Sequence, residues 1–165
     1  MEFKMNTELI EQIKDNMIKF PTSVRMGRWF SACESSSCGT AGCIAGWACA
    51  LSKRLTRVDT SLGSVYQTDL VAHSIFDIAR SLLDISIVNA RQLFYPEHWP
   101  EEFIRSIVKG KDYRAVFVGF NDLEDKMTED KRKFFADYFY HRKLNYHQES
   151  DIVVRRLEYL QETGE

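Results

Sequence analysis

CGTAGCIAGW, residues 38–47, is the stretch that decides the predicted fold. Threonine is a favoured helix N-cap, so we predict a helix that starts after Thr40 and runs to about Leu55. Nearly all of its side chains are small or apolar, although each glycine inside a helix costs roughly 1 kcal/mol relative to alanine. Gly42 and Gly46 would share one face of that helix, as close packing requires. The sequence therefore predicts a central helix that other backbone approaches closely.

Helical periodicity on both sides of this stretch predicts several more helices. Pro21 ends a first helix that Asn6 or Thr7 caps, and Ser86 caps a short helix that ends near Phe94. The other predicted helices begin at Thr68, Glu101, Thr128 and Ser150, and the last three of these end near Lys109, Leu144 and Glu162.

Three stretches lack helical periodicity. Residues 56–66 are expected to form a loose connection between helices. Residues 24–30 and the β-prone residues 115–120 are expected to form short extended pieces that pair as a small strand or hairpin near Trp29. The predicted fold class is mainly α: a compact multi-helix single domain, residues 1–165, around a central Gly/Ala/Cys-rich helix, with a small β element.

Length and composition fit one globular domain. A chain of 165 residues with 44% hydrophobic and 28% charged residues can bury a core without a disulfide or metal staple. The formal net charge of −2 argues against nucleic acid as the main partner, and no apolar run reaches the roughly 18–20 residues of a membrane span. All four cysteines lie between Cys33 and Cys49, and no export signal precedes them, which favours reduced thiols. We expect a cytoplasmic protein without a membrane partner, and the sequence leaves its oligomeric state open.

The start of the predicted central helix is the favoured place for function. Unpaired N–H groups and the positive end of the helix dipole attract an anion there, and glycines let a ligand approach the backbone closely. Nearby arginine and aromatic side chains would add positive charge and a surface on which a base can stack. The residues predicted to bind a ligand are Arg25, Arg28, Trp29, Gly39, Thr40, Gly42 and Trp47. The same pattern also fits a purely structural helix that is packed against other backbone.

A thiol-dependent hydrolase is an alternative function for this stretch. Cys43 would occupy the third position of the predicted helix, where the dipole lowers the pKa of a thiol, and Cys38 is a second candidate nucleophile. His73 shares a polar helix face with Asp77 and is the candidate general base. The cysteine spacing does not match the papain-type signature, in which the second cysteine comes three positions after the first.

Metal and nucleic-acid sites have weaker support. The four cysteines are separated by four, four and five residues and form no Cys-x-x-Cys pair, so we predict no metal site and no cofactor. Residues 131–156 hold seven lysines or arginines against three acids, and the helix that ends near Phe94 could present Asn89, Arg91 and Gln92 to base edges. The negative net charge weighs against that use.

The motif also carries a resemblance to other proteins. Over about residues 24–105 the chain resembles a loose group of small bacterial and phage proteins that share a CGTxxCIAGW motif. The residues that carry the resemblance are Met26, Gly27 and Trp29, the motif at 38–47, Leu93 and Phe94, and Trp99 and Pro100. The group has no established activity, so the resemblance transfers no catalytic residue. It implies a phage or mobile-element origin, and small phage proteins often act by binding.

We therefore predict a protein that binds and sequesters a small anionic or nucleotide-like host molecule. A protein-binding module that inhibits or masks a host protein is a further alternative, beside the hydrolase. The partner is then a small molecule or a host protein, and neither of these two binding functions requires enzymatic activity.

Overall fold

The structure, a computed structural model, describes residues 5–27, 30–32, 40–60, 63–68, 75–120 and 126–165. Within these residues the fold is mainly α, as the sequence predicts, with seven α-helices and one four-stranded antiparallel sheet. The helices are α1 (Thr7–Lys19), α2 (Ile44–Leu51), α3 (Ile75–Leu83), α4 (Ile87–Phe94), α5 (Glu101–Lys109), α6 (Glu129–Tyr140) and α7 (Tyr146–Thr163). The strands are β1 (Phe30–Ala32), β2 (Thr40–Gly42), β3 (Leu55–Thr60) and β4 (Gly63–Thr68), and short 3₁₀ helices cover Pro21–Ser23, Pro96–His98 and Val118–Phe120.

Helix α1 begins and ends where the sequence predicts. The Asn6 side chain caps it by accepting a hydrogen bond from the Leu9 N–H at 3.1 Å, and Pro21 follows its last turn. Its buried residues recur at helical spacing and are Leu9, Ile10, Ile13 and Met17. The helix packs against α2 and α7 and closes one side of the core.

Helix α2 is the central helix that the sequence predicts, although it is shorter. All side chains from Ile44 to Cys49 are buried, and the helix packs against α1 and α3. Its N-cap is Cys43, whose backbone is extended, and its last residue is Leu51 instead of a residue near Leu55. The helix is therefore buried from its N-cap to Cys49.

The prediction that Thr40 caps this helix is wrong. Residues 40–42 form strand β2 and pair with β1, and the Gly42 carbonyl accepts a hydrogen bond from the Arg25 N–H at 3.0 Å. This backbone is used by the sheet and is not available to a helix. Gly42 and Gly46 consequently do not share a helix face.

The sheet has the strand order β2-β1-β4-β3. Strands β3 and β4 form a hairpin that is paired along its full length, from Leu55 opposite Thr68 to Thr60 opposite Gly63. Ser31 in β1 lies opposite Val65 in β4 and joins this hairpin to the β1–β2 pair. The small β element of the prediction thus exists, but most of it lies at another place in the chain.

The loose connection predicted for residues 56–66 is wrong, because these residues belong to the hairpin. Both strands are rich in β-branched threonine and valine, which favour extended backbone. Thr68 is the last residue of β4 and not a helix cap, and α3 begins at Ile75.

The strand predicted for residues 115–120 is also wrong. Residues 111–116 form turns, and a 3₁₀ helix follows at Val118–Phe120. Phe117 is fully buried and its ring stacks on that of Phe135 at 5.4 Å between centroids. Packing against the aromatic side of α6 overrides the local β propensity of this segment.

The C-terminal half follows the predicted helices, although α6 ends at Tyr140 and not near Leu144. The bounds of α5 are those predicted, Ser86 caps α4, and Thr128 caps α6. Helix α7 begins at Tyr146 instead of Ser150, because Asn145 and the third helical residue form a capping box.

One hydrophobic core receives side chains from all seven helices. Its largest fully buried side chains include Phe94, Trp99, Phe117, Phe135 and Phe139. In the part of the chain that the structure describes, no helix combines the length and the apolarity that crossing a bilayer demands. The core ends at a cavity beside Phe94, where the candidate site lies.

Candidate functional site

A cavity of about 410 Å³ lies between the start of α2 and the ends of α4 and α6. It is lined by Met26, Gly27, Cys43, Phe94, Tyr95, Glu97 and Tyr140. These residues come from the turn after Ser23, the N-cap of α2, the C-terminal end of α4, the following 3₁₀ helix and the last residue of α6. Five separate pieces of the chain thus converge on one concave surface.

Helix ends bring the polar lining residues together. Pro96 cannot continue α4, and it begins the 3₁₀ helix that carries Glu97. Tyr95 is the C-cap of α4, where the backbone turns extended and carries its side chain out of the helical repeat. The Tyr95 ring stacks on Phe76 of α3 at 6.1 Å, which fixes one wall of the cavity.

Glu97 and Tyr140 form a hydrogen-bonded pair at the cavity. The Tyr140 hydroxyl donates to Oε2 of Glu97 at 2.5 Å. Burial, and then this hydrogen bond to a carboxylate, hold the pKa of Tyr140 well above its usual range, so the hydroxyl remains a donor. The pair ties the end of α6 to the 3₁₀ helix after α4.

The thiol of Cys43 lies at the inner end of the cavity and is only 2% exposed. Burial raises its pKa to about 11, although the backbone N–H groups of Gly46 and Ala45 at the start of α2 act in the opposite direction. The expected depression of this pKa by the helix dipole is therefore wrong, because desolvation of the thiolate outweighs it. Cys38 and His73, the other residues of the hydrolase hypothesis, lie outside the described residues.

Arg25 and Glu149 hold the wall of the cavity from behind. Glu149 on α7 is fully buried, and its Oε1 accepts from the Met26 N–H at 2.8 Å while Oε2 lies 3.2 Å from Nη1 of Arg25. The Arg25 guanidinium lies 3.7 Å from the centre of the Tyr146 ring. Burial raises the pKa of Glu149 to about 7, while the Met26 N–H and Arg25 lower it.

The structure gives Arg25 and Trp47 internal partners instead of the predicted contacts to a ligand. Arg25 is 6% exposed and pairs with Glu149. Trp47 is also buried, and its Nε1–H donates to the Ser23 carbonyl at 3.1 Å, so its ring packs in the core and does not line the cavity. Neither side chain is placed to supply charge or stacking at the cavity surface.

The remaining predicted ligand residues divide into two groups. Thr40 and Gly42 belong to β2 and not to a helix N-terminus, so their predicted role as helix-start donors has no basis in the fold. The other three, Arg28, Trp29 and Gly39, lie outside the described residues. The stretch singled out by the sequence still reaches the cavity, through Cys43.

Sequence reasoning missed Tyr95, Glu97, Tyr140 and Glu149. For Tyr95 and Glu97 a signal exists, since the two prolines at 96 and 100 force polar and aromatic side chains out of any helical repeat. Glu149 also carries one, because it lies one turn before Val153 on the apolar face of α7. Nothing in the sequence marks Tyr140 apart from other tyrosines.

The basic stretch at residues 131–156 is largely engaged within the fold. Arg155 lies 2.9 Å from Asp112 and 3.0 Å from Asp151, and Lys133 lies 2.8 Å from Glu129. Other contacts of the stretch bring Arg132 to the Trp99 carbonyl, Lys143 over the rings of Phe134 and Tyr138, and the buried Arg156 to the carbonyls of Gln92 and Glu165. Five of the seven cations in this stretch thus have a partner within the fold.

No His, Cys, Asp or Glu group of three or more in the described ranges is arranged to hold a metal ion. No protein-family model matches the chain, and no match was found among curated proteins or among solved structures. The resemblance to small bacterial and phage proteins therefore stays a prediction.

Proposed function

We propose that this chain binds a small nucleotide-like molecule in the cavity between α2, α4 and α6. The observation that carries the proposal is the convergence of aromatic walls on a hydrogen-bonded carboxylate, Glu97, in one concave surface. The cavity, at about 410 Å³, falls within the roughly 300–1,000 Å³ typical of small-molecule sites.

The chemistry of the lining fits a planar ring with polar edges. Tyr95 and Tyr140 offer aromatic surface, and the buried Phe94 and Met26 form the apolar floor beneath them. Glu97 accepts hydrogen bonds at the polar end of the same surface. A nucleobase has this combination of a stacking face and a hydrogen-bonding edge.

The anionic ligand that we expected from a helix N-terminus fits this lining less well. Within the described residues, Glu97 is the charged side chain that lines the cavity, and its carboxylate repels a phosphate placed next to it. The base is therefore the part of a nucleotide-like ligand that we place inside, with any phosphate directed toward solvent.

Amide NMR titration with guanosine, adenosine, cytidine and uridine tests the proposal. At least one nucleoside should shift the amide signals of Gly27, Cys43 and Tyr140 in a saturable manner. The same nucleoside should leave the signal of Thr163 at the end of α7 in place. No saturable shift with any of the four nucleosides would overturn the proposal.

A cavity-blocking variant supplies the control for location. Gly27→Leu adds a side chain to the cavity lining next to Tyr140, since a Cβ at Gly27 would lie in ordinary contact, 3.6 Å from the Tyr140 Cα. Ser81→Leu adds the same side chain at an exposed position of α3 and should bind like the wild type. Equal binding by the wild type and by a folded Gly27→Leu variant would mean that the nucleoside binds elsewhere.

A further inference from the structure

We infer that the ligand of this cavity presents a planar pair of N–H donors to Glu97, as a guanine edge or an amidinium group does. The inference rests on the proposed function and names the chemical class of its ligand. It excludes ligands that present only acceptors or an anion to Glu97.

The charge of the lining is the first argument. Among the lining residues that the structure describes, Glu97 carries a carboxylate and none carries a cationic side chain. Arg25, which directly precedes the lining residue Met26, is already paired with the buried Glu149. Arg28, which follows Gly27, lies outside the described residues. An unpaired anion is costly beside a carboxylate, whereas an N–H donor or a cation is favoured there.

The direction of the Glu97 side chain is the second argument. Glu97 lies between this cavity and a larger groove of about 570 Å³ on the other side of the 3₁₀ helix, and it lines both. Tyr140 lines only the first of the two, and its hydroxyl holds Oε2 of Glu97. The carboxylate is thus fixed on the side of the cavity by its neighbour on α6.

The acceptor capacity of the carboxylate is the third argument. A carboxylate has two oxygens and about four lone-pair directions, of which the Tyr140 hydroxyl uses one in the described part of the chain. Two parallel N–H donors can then bind both oxygens in the fork geometry that makes paired, charge-assisted hydrogen bonds strong. A ligand with a single donor binds only one of the two oxygens.

The four common bases differ in this property. Guanine presents two adjacent N–H donors, N1–H and the 2-amino group, on its base-pairing edge. Adenine and cytosine each place an acceptor nitrogen next to their amino group, and uracil flanks its single N–H with two carbonyls. Only guanine among the four therefore matches a bidentate carboxylate, and benzamidine presents the same donor pair as a cation.

Calorimetric titration with guanosine, inosine, adenosine and benzamidine tests the inference. Inosine lacks the 2-amino group of guanosine and is otherwise the same nucleoside. Guanosine should bind at least about tenfold more tightly than inosine, which lacks one charge-assisted hydrogen bond. It should also bind more tightly than adenosine, which in addition places an acceptor nitrogen against the carboxylate. Tighter binding of benzamidine than of guanosine would identify an amidinium as the source of the donor pair.

Two variants distinguish recognition by Glu97 from a general effect on the fold. Glu97→Gln keeps the shape of the side chain but replaces one acceptor with an amide donor, so it should abolish the preference for guanosine over inosine. Glu162→Gln makes the same change at an exposed position on α7 and should leave that preference intact. An unchanged preference in Glu97→Gln would overturn the inference.

The failure of the inference and the failure of the proposed function give different results. Equal affinities for guanosine, inosine and adenosine overturn the donor-pair inference but leave a nucleotide-binding cavity. Binding of benzamidine without any nucleoside supports the donor pair and overturns the nucleotide-like ligand. Binding of none of the four probes overturns both.

Discussion

Neighbouring aromatic side chains in this molecule differ in their exposure. The group around Trp99 is buried in the core, which we call the closed region, whereas Tyr140 lines the cavity, which we call the open region. Around Trp99, the rings of Phe103, Phe135 and Phe139 pack at centroid distances of 5.1–5.8 Å. The next residue along α6, Tyr140, instead faces the cavity and is 36% exposed, whereas Phe139 is 1% exposed.

The difference in exposure between Phe139 and Tyr140 reflects their positions on the helix and the hydroxyl group of the tyrosine. Successive residues of an α-helix point about 100° apart, so Phe139 and Tyr140 face different surroundings. A phenylalanine ring is satisfied by other rings, whereas a tyrosine hydroxyl needs a polar partner, which here is Glu97. Phe139 consequently lies in the core, and Tyr140 lines the cavity.

Trp99→Ala should produce the largest loss of stability among these variants. Trp99 is fully buried against three rings and donates its Nε1–H to the Leu93 carbonyl at 3.2 Å. Truncation removes these contacts and leaves a cavity, so the free energy of unfolding should fall by about 3–5 kcal/mol. Urea unfolding followed by circular dichroism measures the loss, and Trp99→Phe should lose distinctly less. A loss below about 1 kcal/mol would contradict the close packing of this group.

The pH dependence of stability tests the environment of Glu149, whose carboxyl group accepts a hydrogen bond from the N–H of the cavity residue Met26. The pKa of Glu149 is about 7 in the folded protein against an ordinary value of 4.5. Between these values the folded state keeps a proton that the unfolded state has released, so this group makes stability fall as the pH rises. The expected size of the effect is about 3 kcal/mol over that range.

Glu149→Gln isolates this contribution because the amide cannot titrate. Arg25 and Arg142 are the charged groups that act on Glu149, and both remain in the variant. Urea unfolding of the two proteins between about pH 4.5 and 7 should give curves whose difference changes steadily with pH. Parallel curves would mean that Glu149 has an ordinary pKa in the folded protein.

The sequence predicts well the helix ends and buried faces that local signals mark. Capping residues and proline mark the ends of α1, α4 and α5, and apolar periodicity marks their buried faces. These signals are local, so they can be read without knowing what the helix packs against. The same holds for the buried, small-residue composition of α2.

The sequence predicts the open region poorly, because its geometry depends on contacts between residues that are far apart in the chain. Thr40 is a good helix cap by residue type, but β1 takes its backbone into a sheet. Arg25 is suited by residue type to bind an anionic ligand, but in the fold it is paired with Glu149, 124 positions away. The pairing of Glu97 with Tyr140, 43 positions apart, likewise exists only after α6 has packed.

Tyr140→Phe removes one hydroxyl group from the open region, and Phe139→Tyr adds one to the closed region, so the pair compares the two regions directly. Tyr140→Phe keeps the ring and removes one hydrogen bond at a partly exposed site, so the free energy of unfolding should fall by only about 1 kcal/mol or less. Phe139→Tyr adds a hydroxyl inside the closed group and should cost more, about 1–3 kcal/mol, if the hydroxyl finds no partner there. Urea unfolding of both variants under the same conditions gives the two values. Equal losses in the free energy of unfolding would show that the loss does not depend on the surroundings of the hydroxyl group. The distinction between the closed and the open region would then have no physical basis.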